Sequence, residues 1–135
     1  MPEMSVVWLR LAVALYAVGL LHSILSVLRR GTRLYPYAER AFQTAVIFHF
    51  VSIAEHSFAL RHLAANNFFE TASLCALVFA LVYLFVEWRY HFSGLSLMIF
   101  PLVSLLTFLA AMGTPVSAWS DPRVRNVWLL THIML

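Results

Sequence analysis

The hydrophobic and polar positions divide the chain into long apolar runs that are separated by short polar loops. The first four runs cover residues 6–28, 41–60, 71–86 and 95–112. Each has roughly the 20 residues that an α-helix needs to cross a hydrocarbon core of about 30 Å. A fifth apolar run begins at Val127 and stops with the chain at Leu135, too short to cross. The pattern predicts an all-α, polytopic transmembrane helix bundle with four spans and the start of a fifth.

The composition agrees with this pattern. Hydrophobic residues make up 62% of the chain and charged residues 11%, and the mean hydropathy is +0.84. Such a balance is typical of an integral membrane protein whose main partner is the lipid bilayer. The net charge is +3, but the sequence offers no exposed domain that could bind nucleic acid, so we do not expect a nucleic-acid partner. We interpret residues 1–135 as a single transmembrane domain. Because the chain ends inside an apolar run, we expect it to be the N-terminal part of a longer protein.

Arginine side chains predict the orientation, since the chain contains no lysine. Four of them crowd the first loop: Arg29, Arg30, Arg33 and Arg40. The positive-inside rule places this loop in the cytoplasm and the N-terminus outside. The loops near residues 61–70 and 114–126 are then external. The first run exceeds the apolar region of a signal peptide, and no small-residue cleavage pattern follows it, so we expect it to be retained as a helix.

Titratable side chains interrupt the second run. Helical steps of three and four residues align a small and polar stripe: Ala45, His49, Ser52, His56 and Ala59. The opposite side is apolar and suits lipid: Ile47, Phe50, Val51, Ala54 and Phe58. Small and polar residues gather where transmembrane helices touch, so both histidines are expected to face the bundle interior. An ionisable side chain in the membrane is costly, which makes these positions functional candidates.

Depth separates the candidates. His49 lies near the middle of its run, and His56 lies ~10 Å closer to the external side. One helix therefore cannot bring both to one metal ion. The fifth run enters from outside and puts His132 ~7 Å below the external boundary, at a depth similar to that of His56. Glu55 lies beside the polar stripe. We expect it to join His56 and Ser52, or another helix, in a structural polar network.

The loop before the third run has the spacing of a helix capping box. Asn67 would accept a hydrogen bond from an early helix N–H group, and Glu70 would reach back to the Asn67 N–H. The single cysteine, Cys75, permits no intrachain disulfide and no CxxC motif. The seven-residue spacing of His49 and His56 is not a zinc-hydrolase motif, and no nucleophile constellation is recognisable. We do not expect an enzyme.

Taken in order, these motifs resemble the cytochrome c assembly family of membrane proteins, which includes CcsA-, CcmC- and HemX-like branches. The resemblance rests on His49 in the second helix, the Asn67 to Glu70 element opening the third, Pro101 within the fourth, and Trp128 to His132 opening the fifth. It covers nearly the whole chain. The family's tryptophan-rich external loop is not seen in these residues, and some HemX-like relatives lack that loop.

The resemblance implies a protein of the bacterial cytoplasmic membrane that handles heme at the external side and presents it to apocytochrome c. It implies transiently bound b-type heme, with His49 and His132 as the heme-iron ligands. His56 and Glu70 are secondary candidates. Partners would be apocytochrome c and other cytochrome c assembly proteins of the membrane, and any heme-ligation activity would belong to that larger assembly. The chain has no CxxCH motif, so it is not itself a c-type cytochrome.

Two alternatives remain open from the residues. The first is a HemX-like regulatory or scaffold membrane protein without a cofactor. The second is a proton-coupled carrier in which Glu55, His49 and His56 form the relay.

Overall fold

The computed structural model describes residues 3–29, 32–61, 63–65, 67–91 and 93–113, and these residues are almost entirely helical. Four α-helices follow one another: α1 (Glu3–Leu28), α2 (Tyr35–Leu60), α3 (Phe68–Tyr90) and α4 (Ser96–Ala111). Single turns of 3₁₀-helix, Thr32–Leu34 and Ser93–Leu95, lead into α2 and α4. The predicted all-α class is confirmed over these residues, and each of the first four apolar runs coincides with a helix. The fifth run, with Trp128 and His132, lies outside the described residues.

Local sequence explains the helix boundaries. A proline in the first turn of α2 has the fixed φ that a helix start needs. Asn67 caps α3 by accepting a hydrogen bond from the Glu70 N–H at 2.8 Å. Both α2 and α3 end at a residue in the left-handed conformation, Arg61 with φ 59° and His91 with φ 51°. Pro101 lies inside α4, as the sequence places it.

Side-chain contacts show that consecutive helices run antiparallel. Ser5 near the start of α1 meets Ser52 near the end of α2. The His56 side chain, late in α2, meets Glu70 at the start of α3. A Cβ on Gly113, just after α4, would fall 2.5 Å from the Phe69 ring, so the chain leaves α4 against the start of α3. We call this extremity, formed by the start of α1, the end of α2, the start of α3 and the end of α4, the His56 end.

The opposite extremity is formed by the end of α1 and the start of α2. It carries Arg29, Arg33 and Arg40, three of the arginines that predict the cytoplasmic side. Tyr35 and Tyr83 also lie toward this extremity, with their hydroxyl oxygens 3.3 Å apart. The polar His56 end and the basic extremity are therefore at opposite ends of the bundle.

An aromatic cluster fills the core between the two ends. Phe42 stacks on Phe100 with ring centroids 4.2 Å apart, and it meets Tyr16 and Tyr83 edge-on. All four rings are fully buried. Gly19 allows α1 to approach α2, because a Cβ there would lie 3.1 Å from the Ala38 carbonyl oxygen. This close contact brings Tyr16 against Phe42 and against His49, which lies two turns later on α2.

The outer surface of the bundle is apolar. Two helical segments, Met4–Leu28 and Phe68–Tyr90, are long and apolar enough to cross a membrane, and α4 is a shorter apolar helix. A buried core helix or a signal sequence can have the same length and composition. Here, however, only 22% and 33% of the two most apolar windows is buried inside the bundle. Large apolar side chains such as Leu21, Phe58 and Phe85 point outward.

Candidate functional site

The polar stripe on α2 faces the bundle interior. His49, Ser52 and His56 are 0%, 3% and 7% exposed, and Ala45 is also buried. Ala59, which the helical spacing added to the stripe, is exposed, so that part of the prediction is wrong. The stripe leaves the core at this point because α2 ends at Leu60. The apolar side is largely as predicted, with Ile47, Phe50, Val51 and Phe58 exposed and Ala54 half-buried.

His49 lies at the centre of a three-helix hydrogen-bonded cluster. Its Nε2 is 2.9 Å from Ser73 Oγ on α3, and its Nδ1 is 3.3 Å from the Tyr16 hydroxyl on α1. The Tyr16 ring also packs edge-on against the imidazole. Both ring nitrogens therefore have partners. In this arrangement an imidazole joins three helices, and a ligand that bound His49 would first displace Tyr16 or Ser73.

His56 forms a second cluster, with Glu70, at the His56 end. Nε2 of His56 is 3.1 Å from Oε1 of Glu70, and the two side chains are 9% and 10% exposed. No hydrogen-bond partner reaches the other ring nitrogen, Nδ1, within the described part of the chain. His56 thus contacts another helix, but the expected network of His56 with Glu55 and Ser52 is wrong in its members, since Ser52 bonds Ser5. The network involves Glu70 rather than Glu55, which is half-buried and forms no hydrogen bond with another described residue.

The N-terminal cap of α3 positions Glu70. The Asn67 side chain accepts from the Glu70 N–H, as the capping-box spacing predicts. With the first turn of α3 held in this way, the Glu70 carboxylate extends to His56 across the α2–α3 interface. Glu70 therefore has a role in tertiary structure as well as its place in the capping element.

A small, partly open cavity lies between the two histidine clusters. Its volume is about 20 Å³, and its polar lining comes from Ser52, His56, Glu70 and Ser73. Leu9, Ile53 and Ala64 complete the wall. Because Ser73 also bonds His49, the cavity has one side chain of the His49 cluster and both members of the His56 cluster in its wall. A volume of this size holds about one water molecule.

The remaining candidates lie apart from this site or outside the described residues. His22 bonds the Val18 carbonyl of its own helix at 2.9 Å, in keeping with a structural role. His132 belongs to the segment that the structure does not describe, so its predicted depth stays a prediction. Among the described residues, no three His, Cys, Asp or Glu side chains come together as a metal-binding group.

Sequence reasoning missed the partners of His49, which are Tyr16 and Ser73. The available signal was the three-residue spacing of Glu70 and Ser73, which places both on one face of α3. That face meets the polar stripe of α2. The partner on α1 had no such signal, because Tyr16 is one aromatic residue in an otherwise apolar run.

No protein-family model, curated protein or solved structure that was compared with this chain gives a significant match. The site must therefore be interpreted from its own chemistry and from the order of its motifs.

Proposed function

We propose that this chain is a membrane protein that handles heme as cargo at the His56 end of its bundle. The observation that carries the proposal is the buried His56 beside Glu70, whose Nδ1 has no hydrogen-bond partner among the described residues. A neutral imidazole nitrogen is a suitable heme-iron ligand, and a carboxylate on the other nitrogen orients the ring and raises its basicity. The Asn67 to Glu70 element of the cytochrome c assembly resemblance belongs to this same cluster.

The path of the chain supports the same location. Gly113 packs on Phe69, one residue from Glu70, and the segment that contains His132 follows from there. The arginine-rich extremity lies at the other end of the bundle, so the positive-inside rule assigns the His56 end to the external side of the membrane. We propose that all four helices span the bilayer. The apolar outer surface supports this topology, since lipid is the solvent that such a surface requires.

His132 is the proposed first ligand, as the resemblance implies, and His56 is the proposed second. The structure gives a physical reason to prefer His56 over His49: both nitrogens of His49 are bonded, and one of the bonds would have to break before it could bind iron. In this proposal two imidazoles, from His132 and His56, would hold the heme iron. Glu70 would position the His56 ring. Apocytochrome c and other assembly proteins of the membrane are the proposed partners.

The cavity places a limit on where the heme lies. A volume of about 20 Å³ admits one water-sized molecule, so a porphyrin does not fit inside this cavity. His56 fits the cargo by its donor chemistry, but its buried Nδ1 reaches a heme iron only when the residues around this cavity move apart.

Absorption spectroscopy of the full-length protein with added heme tests the proposal. We expect a hemochrome spectrum that is lost in the His56→Ala and His132→Ala variants, because each removes one axial ligand. His49→Ala should retain the spectrum, because His49 is not one of the two proposed ligands. His22→Ala serves as the control, since its imidazole bonds only its own helix in the described structure.

Three results would contradict this assignment. One is the absence of a hemochrome spectrum at stoichiometric heme. Another is a spectrum that survives replacement of both His56 and His132. The third is loss of the spectrum in His49→Ala alone while His56→Ala keeps it, which would return the ligand role to His49.

The buried His56–Glu70 pair also favours one second candidate, a proton-coupled carrier. Such a carrier would use Glu70 with His56 rather than Glu55. Transport that is abolished by Glu70→Gln and unaffected by Glu55→Gln, in protein that binds no heme, would support it over heme handling.

A further inference from the structure

The two histidine clusters have hydrogen-bonding groups that match each other across the cavity. Tyr16 is fully buried, and the only acceptor that the described structure offers to its hydroxyl hydrogen is Nδ1 of His49. With Nδ1 as acceptor, a neutral His49 carries its proton on Nε2 and donates it to Ser73 Oγ. The Ser73 hydroxyl then has its own hydrogen left to donate, and Ser73 lines the cavity.

The other side of the cavity offers acceptors. As a carboxylate, Glu70 can only accept, so His56 donates to it from Nε2. A neutral His56 therefore has Nδ1 as a buried acceptor, the atom for which the described residues provide no partner. The Ser52 hydroxyl donates to the Ser5 carbonyl at 2.7 Å and retains lone pairs on its oxygen. One donor and two acceptors thus belong to residues that line a cavity large enough for one water.

We propose that this cavity is a binding site for a single water molecule, which joins the two clusters into one hydrogen-bonded chain from Tyr16 to Glu70. The water accepts from Ser73 and donates to His56 Nδ1 and to Ser52 Oγ. Buried waters typically make about three such bonds to groups that would otherwise stay unsatisfied. Every donor in the chain then points toward Glu70, in the order Tyr16, His49, Ser73, water, His56 and Glu70.

A continuous chain has a consequence for both histidines. Its members polarise one another, so a change at one end alters the hydrogen bonds at the other. The state of Glu70 at the His56 end is thereby coupled to the imidazole of His49 in the middle of the bundle, although no direct contact between them is required. This inference goes beyond the proposed function, because it holds for the protein without heme.

Side-chain ¹⁵N nuclear magnetic resonance of histidine-labelled, heme-free protein in lipid nanodiscs tests the chain. The neutral tautomer of each ring is visible in such spectra, and we expect His49 and His56 both to carry the proton on Nε2. Ser73→Ala should shift the His56 Nδ1 resonance as well as that of His49. Reciprocally, Glu70→Gln should shift His49 as well as His56. The control is Ser23→Ala, which removes a buried serine outside the cavity lining and should shift neither.

A cavity-filling variant separates the water from general packing effects. Ala64 is buried in the cavity wall, and Ala64→Val adds two methyl groups there while keeping the direct His49–Ser73 and His56–Glu70 bonds. In the Ala64→Val background, Glu70→Gln should no longer shift His49. The proposal is overturned if Ser73→Ala leaves His56 unchanged and Glu70→Gln leaves His49 unchanged. It is equally overturned if the coupling survives in the Ala64→Val background. Should Ser73→Ala fail to fold, the Glu70→Gln comparison decides alone.

Discussion

At the scale of single residues, the contacts within one helix turn can be predicted from the sequence, whereas the contacts between helices cannot. The Asn67 cap follows from the residues themselves, because a capping element needs only its own helix turn. The inward position of His49 and His56 can also be predicted, from the 3.6-residue period of a helix. Their partners cannot be predicted in this way, because the pairing of His56 with Glu70 depends on the register between α2 and α3. The same limit applies to Tyr16 and Ser73 around His49.

The cap gives a prediction at this scale. Asn67→Ala removes the acceptor for the Glu70 N–H and should lower the free energy of unfolding by about 1 kcal/mol. Asn67→Asp keeps an acceptor oxygen and serves as the matched control, with a smaller loss. Denaturation of the purified protein measures the stability, and hydrogen exchange at the Glu70 amide shows the cause. Unchanged stability together with an equally protected Glu70 amide in Asn67→Ala would show that the cap does not hold α3.

At the scale of elements, hydrophobic periodicity predicts where the helices are but gives less information on how closely they approach. The four apolar runs correspond to α1, α2, α3 and α4. The first three helices extend beyond their runs by three to six residues at one or both ends, whereas α4 is one residue shorter than its run at each end. The closest described approach of a glycine to another helix's backbone is at Gly19, whose missing side chain brings α1 onto Ala38 of α2. A single glycine in an apolar run does not indicate which helix it will contact, so this contact could not be predicted from the sequence.

Gly19 gives the corresponding prediction. Gly19→Val places methyl groups against the Ala38 carbonyl and the Phe42 backbone and should destabilise the protein by about 1–3 kcal/mol, as overpacking does. Gly94→Val is the matched control, because nothing lies within 4 Å of a Cβ there, and it should change stability by less than about 0.5 kcal/mol. Equal stability of the two variants, measured by denaturation in mixed micelles, would be evidence against a close α1–α2 contact.

At the scale of the whole molecule, the bundle is polarised from end to end. Arg29, Arg33 and Arg40 lie at one extremity, and the opposite extremity carries Arg61, the buried His56–Glu70 pair and the end of α4. Composition and apolar runs predict the helical bundle, but they do not predict that His56 of the polar stripe, the capped start of α3 and the end of α4 come together at the same end. The proposed heme handling at an external surface requires this polarity and a bundle that crosses a membrane.

Site-directed labelling of single cysteines tests that central claim most directly. In a Cys75→Ser background, Leu63→Cys reports the loop between α2 and α3 at the His56 end, and Gly94→Cys reports the loop between α3 and α4 at the other end. In intact spheroplasts, a membrane-impermeant maleimide should modify Leu63→Cys, and it should modify Gly94→Cys only after permeabilisation. The reverse pattern would place the His56 end in the cytoplasm. Equal labelling of both cysteines before permeabilisation would contradict a bundle that crosses the membrane.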